Sequence, residues 1–217
     1  MGKKKTVIVI VGPTASGKTA LSLQLAHQFK TSIISADSRQ CYRELNIGVA
    51  KPTAEELNAA KHYFINSHSI YDNVTAAIFE QYALQAVQKI FLENDIAIMA
   101  GGTGLYIKAF CEGLDFIPKI PAGIRHSIIN SYHENGIGWL QQQVKEKDPE
   151  FWRTTKEPMN PHRLVRALEV ILGTGKSILF YRRNKAVERG FDIIKVGIDL
   201  PKTVLHANIE TRINKMI

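Results

Sequence analysis

Cysteine is scarce: Cys41 and Cys111 are the whole supply, with no Cys-x-x-Cys pair, which excludes a disulfide framework or a zinc ribbon. A reducing, cytoplasmic setting is expected. Long apolar runs are also lacking. The longest unbroken one, residues 7–11, is far below the roughly 18 residues a membrane span needs, and no cleavage-type segment follows the basic start. The protein is therefore expected to stay where it is made, with no membrane partner. "MGKKKT" matches the pattern for acylation of Gly2, but a strand follows at once and leaves no tether, so the lysines read as a solvated cluster. Repeats and low-complexity segments do not occur. Acidic residues are in the minority, 20 Asp+Glu against 28 Lys+Arg, and the resulting +8 favours an anionic partner, nucleic acid or a phosphorylated small molecule.

What is present suffices for a globular fold. With 45% hydrophobic residues in 217, the chain can bury a core as one large domain or as a domain with an insertion. The order of signals is a strand over residues 6–11, a Gly-rich turn, a helix over 18–29, a strand over 32–36 and a polar loop to residue 51. An amphipathic helix follows over about 74–93, then a strand over 96–100, a second Gly turn and a helix over 105–111. Short apolar runs alternating with helices predict an α/β fold, a doubly wound parallel sheet with helices on both faces. From Pro118 the spacing becomes helical throughout, until a strand returns over 192–199 and a last helix repeats Leu205, Ile209 and Ile213 on one face. The expected domains are a P-loop core, residues 1–116 and 190–217, and a helical insertion, residues 117–189. The last helix carries no stop signal, so the core is expected to be truncated at its C-terminal side.

The sharpest motif is Gly12-Pro13-Thr14-Ala15-Ser16-Gly17-Lys18-Thr19, which fits G-x-x-x-x-G-K-[ST] between a predicted strand and helix, the pattern of nucleotide- and ATP-binding loops. Its backbone N–H groups and the helix N-terminus suit a phosphate, Lys18 adds a mobile cation, and the Thr19 hydroxyl can ligate magnesium. An ATP-hydrolysing protein would also carry an acid at the end of a buried strand. The strand at 96–100 ends instead in Ala100-Gly101-Gly102. The acid near the cleft is Asp37, after the second strand, where it can serve as magnesium ligand, general base or turn cap. "GGTGLY" opens a helix at another strand end, and Thr103 there can reach a second phosphate or the reacting group. "LGTGKS", residues 172–177, imitates half a phosphate loop. Asn160 and Pro161 instead open a helix that Gly173 and Gly175 should stop. On it Arg163 and Arg166 share a face opposite Leu164, Leu168 and Ile171, which read alone is an ordinary solvated basic face.

Together "GPTASGKT", "SADSRQCYRELNIGVAKPT", "AGGTGLYIKA" and "NPHRLVRALEV" resemble the tRNA dimethylallyltransferase family, over most of the chain. The resemblance implies transfer of a dimethylallyl group from dimethylallyl diphosphate to the exocyclic amine of the adenosine adjacent to the anticodon in tRNA. It implies that Gly12 to Thr19 hold the donor's diphosphate, with Mg2+ on Thr19 and Arg212 nearby, and that Lys18, Asp37 and Thr103 are catalytic, Asp37 as general base. Asp37, Ser38, Arg39 and Gln40 match positions that touch tRNA near the target base. Thr103 matches one that lies against the diphosphate and the reaction centre and counts among the tRNA contacts, and Arg125, His162, Arg163, Leu164, Val165 and Arg166 in the insertion match further tRNA-contacting positions. A monomer is expected. The rivals are a P-loop small-molecule kinase, a nucleotide-gated RNA-binding module, and an adenylate isopentenyltransferase acting on free nucleotides. The missing strand-end acid argues against the first two, and the basic insertion suits a macromolecular acceptor better than a free nucleotide.

Overall fold

In the computed structural model, which describes residues 4–182 and 185–214, five parallel strands form one sheet in the order β3-β2-β4-β1-β5. The Gly2 acylation motif lies outside the described residues. The strands are β1 (Thr6–Val11), β2 (Ile33–Ser35), β3 (His62–Tyr63), β4 (Ile96–Ala100) and β5 (Asp192–Gly197). β1 pairs with β4 on one side and β5 on the other, with Ile10 opposite both Ala100 and Val196. Because strand side chains alternate between faces, Val7 and Val9 meet one layer while Ile10, with Ile33 and Ile98, meets the other.

The first layer consists of α3 (Ala76–Ile90) and α4 (Gly104–Glu112). α3 buries Phe79, Ala83, Ala86, Val87 and Ile90, an i, i+4 stripe, and α4 adds Tyr106, Ile107 and Phe110. The second layer is α1 (Lys18–Phe29), whose Ala26 packs on Ile10, Ile33 and Ile98. The chain thus has a mixed α/β fold on a parallel sheet.

Two short elements lie where no element was expected, α2 (Ala54–Ala59) and β3. α2 starts on a capping box: the Thr53 hydroxyl accepts from Glu56 N–H at 3.2 Å, and Glu56 Oε2 accepts from Thr53 N–H at 2.8 Å. The last strand stops at Gly197, short of residue 199, and α9 (Lys202–Asn214) buries no residue fully, with Leu205 and Ile209 half-buried and Ile213 exposed.

The chain divides into two compact units, one of Met1–Leu114 with Ala186–Ile217 and one of Asp115–Lys185. The second is helical: α5 (Ala122–Lys147), interrupted at Gly136, then α6 (Pro149–Thr154), α7 (Pro161–Thr174) and α8 (Ile178–Tyr181). Its core joins Ile128, Leu140 and Val144 of α5 to Leu164 and Leu168 of α7. Asn160 caps α7 through Arg163 N–H, and Gly175 ends it in a left-handed conformation, φ 71°. Gly173 does not stop the helix; it lies inside it, where a Cβ would come within 2.5 Å of Ile120 Cγ2, so a close contact rather than a turn requires the glycine there.

The fully buried Phe79 ring stacks on Tyr106 at 4.5 Å and meets Phe64 edge-on at 4.9 Å. Phe79→Ala is therefore expected to cost about 3–5 kcal/mol of stability, read as a lower urea midpoint; a loss under about 1 kcal/mol would mean that the aromatic cluster is not what joins α3 to the sheet.

Candidate functional site

The loop between β1 and α1 turns on Ala15 and Gly17, at φ 62° and 92°, conformations that let successive N–H groups point inward. Lys18 is half-buried and donates to the carbonyl oxygens of Gly12, at 2.9 Å, and Pro13, at 2.6 Å. Its pKa is pushed below the ordinary lysine value, first by burial and then by the charge of Arg212, with Asp37 acting the other way. The Ser16 hydroxyl is buried and has no hydrogen-bond partner among the described residues. From α9, Asn208 Nδ2 donates to Ala15 O at 3.2 Å, tying that helix to the loop.

Opposite the loop, the ends of β2 and β4 meet without room for a side chain. A Cβ on Gly101 would stand 2.2 Å from the Ala36 carbonyl oxygen, so only glycine allows this approach. Ala36 O accepts from Thr103 N–H at 3.1 Å, and Thr103 Oγ1 accepts from Ser38 N–H at 3.0 Å and donates to Ser38 Oγ at 3.3 Å. Thr103 opens α4 without capping it, because its hydroxyl is spent on Ser38. Asp37 Oδ1 accepts from the N–H groups of Arg39, at 2.8 Å, and Gln40, at 3.3 Å. The turn-capping role is thus real, and it uses one oxygen only. The amide of Gln40 is pinned between Ser35 Oγ, 2.8 Å, and Ala50 O, 2.7 Å, while the Arg39 side chain is exposed.

A cavity of about 440 Å³ runs from the loop, Thr14 to Thr19, past Asp37 and Gln40 to Ile33, Ile65 and His62. A second, of about 490 Å³, shares Thr14, Asp37, Gly102 and Arg212 with it and adds Ser38, Arg39 and Thr103. Lys18, Thr19, Asp37, Thr103 and Arg212 are thus gathered around one cleft, although 66 residues separate Asp37 from Thr103. Below it burial pushes the Cys41 thiol up to about 11 and the Tyr106 phenol to about 12. Both cysteines are free and buried, and neither is a nucleophile.

No group of three or more His, Cys, Asp or Glu that could hold a metal occurs among the described residues. A magnesium ion in a phosphate site needs only one or two protein oxygens, the remainder coming from water and the ligand. The exposed Thr19 hydroxyl at the cavity wall fits that donor set.

The helical unit treats its arginines differently from the solvated-face reading. Arg125 donates a hydrogen bond to one oxygen of the buried Glu169 at 2.8 Å, and Arg166 lies against the same oxygen as an ion pair at 3.1 Å. Arg163 pairs with Glu157 at 2.9 Å, and that carboxylate also accepts from Asn160 Nδ2. His162 is exposed, whereas Leu164 and Val165 are buried in the unit's own core and present no side chain to a partner.

Fold and site define a mixed α/β protein on a parallel sheet, with a G-x-x-x-x-G-K-[ST] loop after β1 and an acid, Asp37, fixed on the same cavity. The family model described as IPP transferase matches residues 40–217, and the chain belongs to that family. It is 41% identical over 213 residues to the tRNA dimethylallyltransferase of Cytophaga hutchinsonii and 44% over 211 residues to that of Christiangramia forsetii. These alignments cover 98% and 97% of this chain and 70% of each relative. Among solved structures, the full-length tRNA isopentenylpyrophosphate transferase of Bacillus halodurans is similar at 30% identity and TM-score 0.63, over 98% of this chain and 66% of that one. A eukaryotic dimethylallyltransferase acting on tRNA is similar at 25% identity and TM-score 0.78, over 98% of this chain and 52% of that one. The chain therefore spans about two thirds of the length of the bacterial proteins it matches.

A lysine that gives up its proton early ceases to bind anions early. The affinity of the protein for inorganic diphosphate, divided by that of Lys18→Met to cancel the ligand's own titration, is expected to fall as pH rises toward the ordinary lysine value of 10.5. A ratio constant up to that pH would show that Lys18 keeps its proton as a solvated lysine does.

Proposed function

We propose that the protein transfers a dimethylallyl group from dimethylallyl diphosphate to the exocyclic amine of the adenosine adjacent to the anticodon in tRNA. The observation that carries this reading is the pairing of a complete phosphate loop with a carboxylate-free β4 end and an Asp37 whose second oxygen, Oδ2, has no hydrogen-bond partner among the described residues. The names of the relatives and of the solved structures support it.

In this reading the donor's diphosphate occupies the loop of Gly12 to Thr19. Its oxygens draw Lys18 off the Gly12 and Pro13 carbonyls and give the Ser16 hydroxyl a partner, while Arg212 neutralises a further charge. Magnesium, when bound at Thr19, supplies additional neutralisation of the leaving diphosphate. Thr103 stands at the reacting end of the donor. The adenine is extruded from the RNA into the cleft, at a cost of about a few kcal/mol, against Asp37 and the neighbouring Ser38, Arg39 and Gln40. The amine nitrogen attacks the allylic carbon, the carbon–oxygen bond breaks with its electron pair leaving on the diphosphate, and Asp37 Oδ2 takes the amine proton. Arg125, His162, Arg163 and Arg166 of the helical unit contact the RNA backbone. The two-unit organisation supports a division into a P-loop core and an RNA-contacting helical insertion. We further take the protein to act as a monomer in the cytoplasm; no helix of the described residues is long and apolar enough to cross a membrane.

The direct test supplies labelled dimethylallyl diphosphate and magnesium with tRNA or AMP, and ATP as control. Label in tRNA is expected; label only in AMP, or phosphate transfer from ATP, ends the proposal. Asp37→Asn keeps an oxygen to cap Arg39 and Gln40 but is a poor base, so turnover is expected to fall by at least about 100-fold with donor binding retained. Near-normal turnover would remove Asp37 from the base role.

A further inference from the structure

We propose that Glu169 is a positioning residue for RNA binding, whose buried carboxylate holds Arg125 and Arg166 side by side as one preformed fork for an RNA phosphate. The inference rests on the reading of the helical unit as an RNA-contacting surface and goes beyond it, since Glu169 itself touches no ligand.

Glu169 is 7% exposed, a burial unusual for a carboxylate, and both of its ion-pair partners approach the same oxygen, Oε2, Arg125 with a hydrogen bond and Arg166 by charge. Arg125 comes from α5 and Arg166 from the preceding turn of α7, so two helices are joined at that one atom. Nitrogens lying 2.8 and 3.1 Å from a common oxygen are within about 6 Å of each other. Two guanidinium charges that close repel and would splay apart; the carboxylate between them offsets the repulsion. Arg125 spends one N–H on Glu169, Arg166 pairs with it by charge alone, and the side chains remain 42% and 40% exposed, which leaves N–H donors of both for a further acceptor. A phosphodiester with two non-bridging oxygens matches such a pair of planar donors.

Arg163 lacks this arrangement. Its partner Glu157 is 46% exposed, so the pair is screened by solvent. Glu169 instead follows Leu168, with Leu164, Val165, Ala167, Leu168 and Val170 all packed in the unit's interior. The carboxylate lies beneath the two arginines, which cover it from solvent while staying partly exposed themselves. Ordering them before RNA arrives removes a cost that binding would otherwise bear.

The test is a double-mutant cycle on the full chain: wild type, Glu169→Gln, Arg166→Ala and the double variant, each measured for tRNA affinity across a salt series, for donor affinity without RNA, and for melting temperature. Glu169→Gln keeps shape and an acceptor but loses the charge. It is expected to weaken tRNA binding by about tenfold, to leave donor affinity unchanged, and to make Arg166→Ala far less costly in its background than in wild type. Additive losses, or tRNA affinity equal to or above wild type in Glu169→Gln, overturn the proposal. Arg125→Lys keeps Glu169 charge-paired while losing the planar fork, and serves if Glu169→Gln fails to fold. It should weaken tRNA binding several-fold at unchanged melting temperature, and full affinity there overturns the proposal equally. A wild type that labels tRNA yet shows no coupling refutes only the role of Glu169, whereas a wild type that labels no tRNA refutes the reading beneath it.

Discussion

The contact on which the site depends is the side-chain-free approach of β4's end to β2's end, Gly101 against the Ala36 carbonyl. It lets Thr103 N–H reach Ala36 O, which carries the Thr103 hydroxyl to Ser38 and fixes the turn that Asp37 caps. Two strand ends thereby act as one rigid edge. Sheet order sets the remaining dimension. β4 lies between β1 and β2, so the phosphate loop after β1 and the acid after β2 are separated by two strand spacings, on the order of 10 Å. An elongated ligand, anionic at one end and reactive at the other, spans such a gap; a lone phosphate does not.

The loop after β1 gathers polar groups suited to an anion. Lys18 is parked on two carbonyls of its own loop, the Ser16 hydroxyl is buried without a partner, and the Arg212 charge further discourages protonation of Lys18. Two of these features are unfavourable, the buried hydroxyl without a partner among the described residues and the pair of neighbouring cations, whereas the two carbonyl bonds of Lys18 are favourable. In the proposed reading a bound diphosphate would relieve both, giving the Ser16 hydroxyl a partner and placing negative charge between Lys18 and Arg212.

Legibility of the sequence followed the range of the interactions. β1, α1 and β4 begin and end where the local pattern put them, because apolar alternation, the Gly-Lys-Thr turn and helical spacing are all local signals. α2 was missed although Thr53 and Glu56 form a readable capping box, and β3 because two residues of strand carry no period and exist only through pairing with β2. Gly173 misled because a helical glycine demanded by Ile120 looks in one dimension like a helix stop. In the site, the loop residues announce themselves, whereas the link between Asp37 and Thr103 depends on a backbone approach between strands distant in sequence. Glu169 illustrates both cases. Its pairing with Arg166 is an i, i+3 relation visible on a helical wheel, and its pairing with Arg125 spans 44 residues and is visible only in the fold.

Glu157 and Glu169, both paired with arginines of the helical unit, would meet an approaching polyanion with different consequences. An exposed pair such as Arg163 with Glu157 is worth about 0–1 kcal/mol and weakens further in salt, so a phosphate can displace Glu157 at little cost. Glu169, 9% exposed at its side chain, is far more deeply set than Glu157, so in the proposed reading a phosphate would share the arginines with it. Sharing lowers the charge that Arg125 and Arg166 contribute at long range, yet holds the guanidiniums where a second oxygen pair can find them. With +8 over the chain, long-range attraction for a polyanion is not scarce. Geometry at close range is the scarcer quantity, and a buried carboxylate supplies it.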